Sequence, residues 1–284
     1  MSALPPAARP KMMYFNTASE YWRASNASLV HTKIDGSGEF PIANDTRLYV
    51  VAGTQHGPSR WPVKKTDREL APNPLNYRWV LPAALVALDN WVAGKAEPPP
   101  SRYPRRDRGE LVQPEKLEFP AIPGVTVPPS GQTTRRTAGK LPADFRSEGP
   151  ITILPPRPGK AYPQLVSRVD ADGNEIGGIL VPELKVPLGT YMAWNQQFPG
   201  AKDMQASLGL IGGFVPFARD EAERKARKDP RPSLAERYAS REDFVGRTAL
   251  AALESVREGY FLDQDVAALL RAVRRQYEDL TGKR

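Results

Sequence analysis

Thr46-Arg-Leu-Tyr-Val-Val-Ala-Gly-Thr-Gln-His-Gly57 is the stretch that decides the fold. Thr46–Ala52 is β-branched, aromatic and apolar with little alternation, the pattern of a strand covered on both faces of a sheet. The run stops at Gly53. Glycines at 53 and 57 let the backbone turn sharply and hold the His56 imidazole beyond the strand end. Upstream, Lys11-Met-Met-Tyr-Phe-Asn16 repeats the design, a short apolar run breaking into Thr17-Ala-Ser-Glu20. Two such strands predict an α/β fold whose polar residues gather at the carboxyl edge of the sheet, where such folds place their sites.

That edge carries the candidate chemistry. His31 and His56 are the only 2 histidines, so general-base candidates are few. Glu20 follows the first strand, 36 residues (56 − 20) before His56. A carboxylate at one strand end and an imidazole at the next can form the acid and base of a catalytic triad. The acid would hold the imidazole tautomer and stabilise imidazolium as the histidine takes a nucleophile's proton. The alternative for Glu20 is a surface carboxylate paired with Arg23.

Working outward, Leu81, Leu85, Leu88 and Trp91 or Val92 recur at helical spacing, and Gly94 ends the run. This predicts a helix whose leucine face packs on the sheet. From Glu97 to about Gly159 the prolines thicken, as in Pro98-Pro-Pro100, Pro128-Pro129 and Pro155-Pro156, which predicts an extended arm or a linker. Gln164–Val169 and Ile176–Val186 are apolar runs joined by Asp170-Ala-Asp-Gly-Asn-Glu175, and together they predict a β-hairpin. Asp170, Asp172 and Asn174 alternate as calcium ligands would. Glu175 and Val181 nonetheless stand where an EF-hand loop needs glycine and a bidentate glutamate, so a turn is the better reading.

The last third predicts helices. Ser233-Leu-Ala-Glu236 and Ser240-Arg-Glu-Asp243 have capping-box spacing, and Val266, Leu269, Leu270, Val273, Tyr277 and Leu280 form one apolar stripe suited to core packing.

Tyr14-Phe-Asn-Thr-Ala-Ser-Glu-Tyr-Trp-Arg23, Ala27-Ser-Leu-Val-His31 and Val51-Ala-Gly-Thr-Gln-His-Gly57 resemble a family of long bacterial alpha/beta-hydrolase-domain proteins, mostly described as esterases. The resemblance continues through Leu85–Trp91, Pro98–Pro104, Phe119–Gly124, Val169–Asn174, Tyr191–Asn195, Phe214–Ala218 and Asp229–Leu234, nearly the whole chain. It implies Glu20 as triad acid and His56 as triad base, with His31 in a structural role near the loop after Glu20. Tyr21 and Trp22, aromatic rings beside the acid, are expected to line a substrate pocket. The implied architecture is the C-terminal part of an α/β-hydrolase sheet at 1–96, a Pro-rich arm at 97–160, and a β-hairpin with C-terminal helices at 161–284.

The chain departs from that family in one respect that bears on activity. It contains no Gly-x-Ser-x-Gly; Ser37 lacks a preceding strand and Ser19 lacks the glycine elbow. The expectation is a C-terminal fragment or subunit of a serine hydrolase, inactive alone, completed by a nucleophile-bearing chain or a missing N-terminal half. The alternative is a non-catalytic assembly protein on a degenerate scaffold. If complete, the site takes a small ester, with no metal and no organic cofactor.

Composition narrows the remaining classes. With 40% hydrophobic and 25% charged residues the chain is globular, and its 30 prolines demand much turn and loop. Cysteine is absent, which removes thiol chemistry and disulfides. The net charge of +8 is spread out: Arg102–Arg108 and Arg224–Arg231 are interrupted by Asp107 and Asp229, which predicts solvated basic surface and no nucleic-acid groove. No apolar run is long enough to span a bilayer, and the N-terminus lacks a signal-peptide core. The compartment is left open.

Overall fold

The computed structural model describes residues 5, 8–23, 26–64, 66, 68–128, 137–139, 158–196 and 210–282. The central pair is β1 (Met12–Thr17), followed by a single helical turn α1 (Ser19–Trp22), and β2 (Thr46–Val51). The strands run parallel, from Met12 opposite Thr46 to Thr17 opposite Val51, so both end on the same rung.

β2 is the buried strand, with every residue from Leu48 to Ala52 no more than 2% exposed. Its second edge is closed by two separate segments. Val50 N–H donates to Arg102 O and Arg102 N–H to Leu48 O; one rung further, Ile179 N–H donates to Val50 O at 2.7 Å and Ala52 N–H to Ile179 O at 3.0 Å. This approach requires glycine at 178, where φ is +101° and a Cβ would lie 2.5 Å from Val50 O.

The remaining elements are β3 (Ala71–Pro72), α2 (Val80–Val92), β4 (Leu111–Val112), β5 (Val166–Ser167), α3 (Pro182–Lys185), β6 (Gly189–Met192), β7 (Gly213–Pro216), α4 (Glu221–Arg227), α5 (Leu234–Arg237), α6 (Arg241–Arg257) and α7 (Asp263–Thr281). β3, β7 and β6 form an antiparallel sheet with β7 in the middle, and β4 pairs antiparallel with β5. The parallel pair, the covering helix and these helices form a mixed α/β fold, as the sequence predicts.

Three local expectations are corrected. The helix over 80–92 is present and Gly94 follows it at φ +68°, yet Leu81, Leu85 and Val92 are exposed at 41%, 68% and 67%. The inward face is Val80, Ala83 and Trp91, of which Trp91 is as expected and Val80 and Ala83 stand in place of the leucines. Second, Ile176–Val186 is no strand. The hairpin is only a tip, with Ile176 N–H on Arg168 O and an isolated bridge between Val169 and Glu175, and the chain then turns into α3 with Pro182 at its start. Third, Arg231 belongs to no solvated patch. It is 1% exposed, paired to Asp229 at 2.6 Å, and its guanidinium also donates to Thr190 Oγ1 and to Val215 O.

The Asp170 loop is a turn held by its own carboxylate, which accepts from Asp172 N–H and Asn174 N–H at 2.9 Å each. The start of the Pro-rich arm lies along β2, with Tyr49 OH donating to Pro99 O and Leu48 N–H to Ser101 Oγ. Further along it, Thr137–Gly139 pairs antiparallel with Pro158–Ala161, while residues 129–136 and 140–157, with Pro155-Pro156, lie outside the described residues.

Two cores meet over the sheets. Tyr49, Val51, Leu75, Ile179, Tyr191 and Phe214 fill the space between β2 and the antiparallel sheet. Leu234, Phe244, Ala252, Leu269, Val273 and Tyr277 form the helical core, so the apolar stripe of α7 is used for packing. Ser233 and Glu236 make the reciprocal capping box at α5.

Candidate active site

Because β1 and β2 end level, the loops that follow them open side by side. Ser19 N–H donates to Thr54 O at 3.1 Å and Ala18 N–H to Thr54 Oγ1 at 3.4 Å, which ties the two loops together. Gly53 turns the second loop at φ +65°. Its N–H donates to the Glu175 carboxylate at 2.9 Å, and its carbonyl accepts from the Asn73 side chain at 2.6 Å.

At the rim, His56 Nδ1 lies 2.6 Å from Glu20 Oε1. The second carboxylate oxygen of Glu20 accepts from Thr17 N–H at 2.7 Å and from the Thr17 hydroxyl, which fixes the orientation of the acid. The backbone of His56 is held at both ends: its N–H donates to Leu210 O, and its carbonyl accepts from Tyr77 OH at 2.5 Å. The Glu20 side chain is 14% exposed and the imidazole 53%. A carboxylate at Nδ1 demands a proton there, so the Nε2 lone pair is the free basic position. Among the described residues Nε2 has no hydrogen-bond partner. The pair expected from the strand ends is therefore brought within bonding distance, and the Arg23 alternative for Glu20 is not adopted.

A second carboxylate–imidazole pair shows what burial does to the same arrangement. His31 is 0% exposed; its Nδ1 meets Glu39 Oε2 at 3.1 Å and its Nε2 meets Tyr21 OH at 2.8 Å. Burial works to raise the Glu39 pKa, but hydrogen bonds from His31 and from Arg106 N–H outweigh it and leave the carboxyl below its ordinary value. An anionic Glu39 makes Nδ1 the donor, so Nε2 accepts from Tyr21. This pair has no open side, and it fixes the segment after Glu20, the structural role expected for His31.

The two aromatic rings expected to line a pocket face inward. Tyr21 is 1% exposed and packs with Leu48, Val50 and Tyr103; Trp22 is 3% exposed and packs with Met192 and Trp194. The helical turn α1 points them at the core, so they brace the acid from below and present no wall to solvent. Ser19 is also buried, with its hydroxyl against Thr17 and Glu20.

Glu175 escaped the sequence reading, where it served only as a mismatch to a calcium loop. It is buried beneath the site, bonded to Gly53 N–H with the Trp22 side chain nearby, so it lies between the histidine loop and the acid loop. Burial pushes its carboxyl up to about 7 against the pull of these two neighbours. The one available signal was an acidic residue at the inward-pointing end of a tight turn. No group of His, Asp and Glu that could hold a metal ion occurs among the described residues.

A family model described as "Alpha/beta hydrolase domain" matches residues 2–271, almost the whole chain. The chain belongs to the alpha/beta hydrolase domain family. No curated protein and no solved structure matches it. In this hydrolase-domain chain, the strand-end carboxylate and imidazole occupy the edge at which α/β folds place their chemistry. No helix among the described residues is long and apolar enough to cross a membrane.

Proposed function

We propose that the chain supplies the acid and base of a serine-hydrolase site that cleaves carboxylic esters by acyl transfer, the nucleophile coming from outside these 284 residues. The observation that carries this reading is the 2.6 Å contact between Glu20 and His56 Nδ1, made at the tips of adjacent parallel strands with the other ring nitrogen open. Glu20 keeps the imidazole in the Nδ1–H tautomer. His56 Nε2 takes the proton of an attacking serine hydroxyl and returns it to the departing alkoxide. It then takes a proton from the water that releases the acyl group. The absence of a Gly-x-Ser-x-Gly in the sequence is the reason for placing the nucleophile elsewhere.

The purified 284-residue chain is expected to show negligible turnover of p-nitrophenyl esters. In native extract, a fluorophosphonate probe should label a serine in a polypeptide that contains or co-purifies with this chain, and His56→Ala should abolish that labelling. If no such polypeptide carries an activated serine, the hydrolase reading fails. Turnover by the isolated chain that vanished in His56→Ala would instead place a nucleophile within it.

A further inference from the structure

On the far side of the His56 loop lies a cavity of about 350 Å³ that includes neither Glu20 nor His56 in its lining. Its walls come from the loop carrying Arg60 and Trp61, the segment from Pro74 to Trp79, Glu183 on α3, Tyr191 on β6, and one face of α7. Trp61 closes one side, with its indole N–H donating to Asp279 on α7 at 2.6 Å and its ring edge-on to Phe214.

Two buried polar side chains in this lining are unsatisfied. Glu183, 9% exposed, has an Oε2 with no hydrogen-bond partner; Gln276, 6% exposed, has an Nε2 with none, although it sits beside Tyr191. A buried acceptor and a buried donor left empty each bear an uncompensated desolvation penalty, and two in one cavity point to a ligand that satisfies both. A hydroxyl does so, since it can donate to Glu183 while accepting from Gln276. Burial holds the Glu183 carboxyl at about 7, and a hydroxyl can bond to it in either protonation state. At the outer end, Arg60 and Arg78 are exposed, and neither guanidinium makes an ion pair among the described residues. Two guanidinia that pair with no carboxylate among the described residues favour a carboxylate, and the tryptophans in the same lining favour an apolar body.

We propose that this cavity binds a small carboxylate bearing a hydroxyl on an apolar body, the hydroxyl between Glu183 and Gln276 and the carboxylate at Arg60 and Arg78. The site is independent of the ester-cleaving reading, because its test measures binding alone. The experiment is calorimetric titration of the 284-residue chain with 4-hydroxyphenylacetate, read in parallel by tryptophan fluorescence. Phenylacetate (no hydroxyl) and 4-hydroxyphenethyl alcohol (no carboxylate) serve as comparisons.

Saturable binding of 4-hydroxyphenylacetate is expected, about tenfold or more tighter than either comparison compound. Gln276→Leu should weaken it by a similar factor. Ala272→Trp, at an exposed position on the cavity mouth, should abolish it while leaving the circular dichroism spectrum unchanged. No binding at millimolar probe would overturn the proposal. So would equal binding of all three compounds, or binding indifferent to Ala272→Trp.

Discussion

The chain holds two carboxylate–imidazole pairs of one design, Glu20–His56 and Glu39–His31, and access separates their roles. In the open pair, Glu20→Gln keeps the shape but permits the wrong tautomer. In an enzyme complete with its nucleophile, kcat for ester cleavage should fall by about 10⁴-fold with little change in KM. In the closed pair, Tyr21→Phe leaves His31 Nε2 without its donor, and urea denaturation should register a loss of about 1–3 kcal/mol.

Glu175 makes a prediction with a sign. Its folded-state value of about 7 lies above its ordinary 4.5, so the folded protein holds a proton that the unfolded chain has released over that interval. The contribution of this group is therefore fully present below about pH 4.5 and is lost as pH rises through 7. Glu175→Gln, neutral throughout, should lose about 3 kcal/mol less stability than the unmodified chain between pH 4.5 and 8 in parallel urea titrations. Equal slopes would contradict this account.

Single side chains also show where sequence runs out. Glu20 and His56 were readable because each follows a strand run and a glycine turn frames the histidine. Tyr21 and Trp22 were not, because an aromatic ring beside an acid reads alike whether it lines a pocket or fills a core. The partner of Glu175 lies 122 residues away at Gly53, a distance no local pattern spans.

Among the elements, α2 shows how an apolar helix can mislead. Leucines and alanines both recur at helical spacing, and the larger residues suggest themselves as the buried face. The structure instead buries Ala83 and leaves Leu85 outside. Leu85→Glu is accordingly expected to change Tm by no more than about 2 °C, whereas Ala83→Glu, which buries an unpaired carboxylate, should unfold the chain or lower Tm by more than about 10 °C in a thermal melt. The segment 176–186 misled for another reason. An apolar run bounded by turns fits a strand, but Pro182 lacks the N–H that a ladder needs and suits a helix start. The Ser233–Glu236 capping box and the α7 stripe were readable because they rest on short-range contacts within one helix or between consecutive helices, whereas at Ser240 only the hydroxyl half of the box forms.

Across the whole molecule, the contacts that assemble the site come from distant parts of the sequence. β2 is flanked by β1, by Arg102 from the arm and by Ile179 from beyond it, while Tyr260 packs on Tyr49. The α/β class could be read from two strand patterns, but this stitching depends on three-dimensional packing. Arg231 is one such stitch. Its guanidinium joins the chain before α5 to β6 and β7, so Arg231→Ala would strand Asp229 in the interior at a cost of about 3–5 kcal/mol by chemical denaturation.

The level ending of β1 and β2 has a consequence for how this protein can change over generations. Glu20 stands three residues past its strand and His56 five past its own, and the two meet because those counts start from one shared rung. Replacing a side chain in either strand perturbs packing locally. Adding or deleting one residue shifts every following side chain to the opposite face and carries the acid away from the base. Genetic drift at this site should therefore proceed by exchange of letters at constant spelling length, with insertions confined to the stretch between α1 and β2.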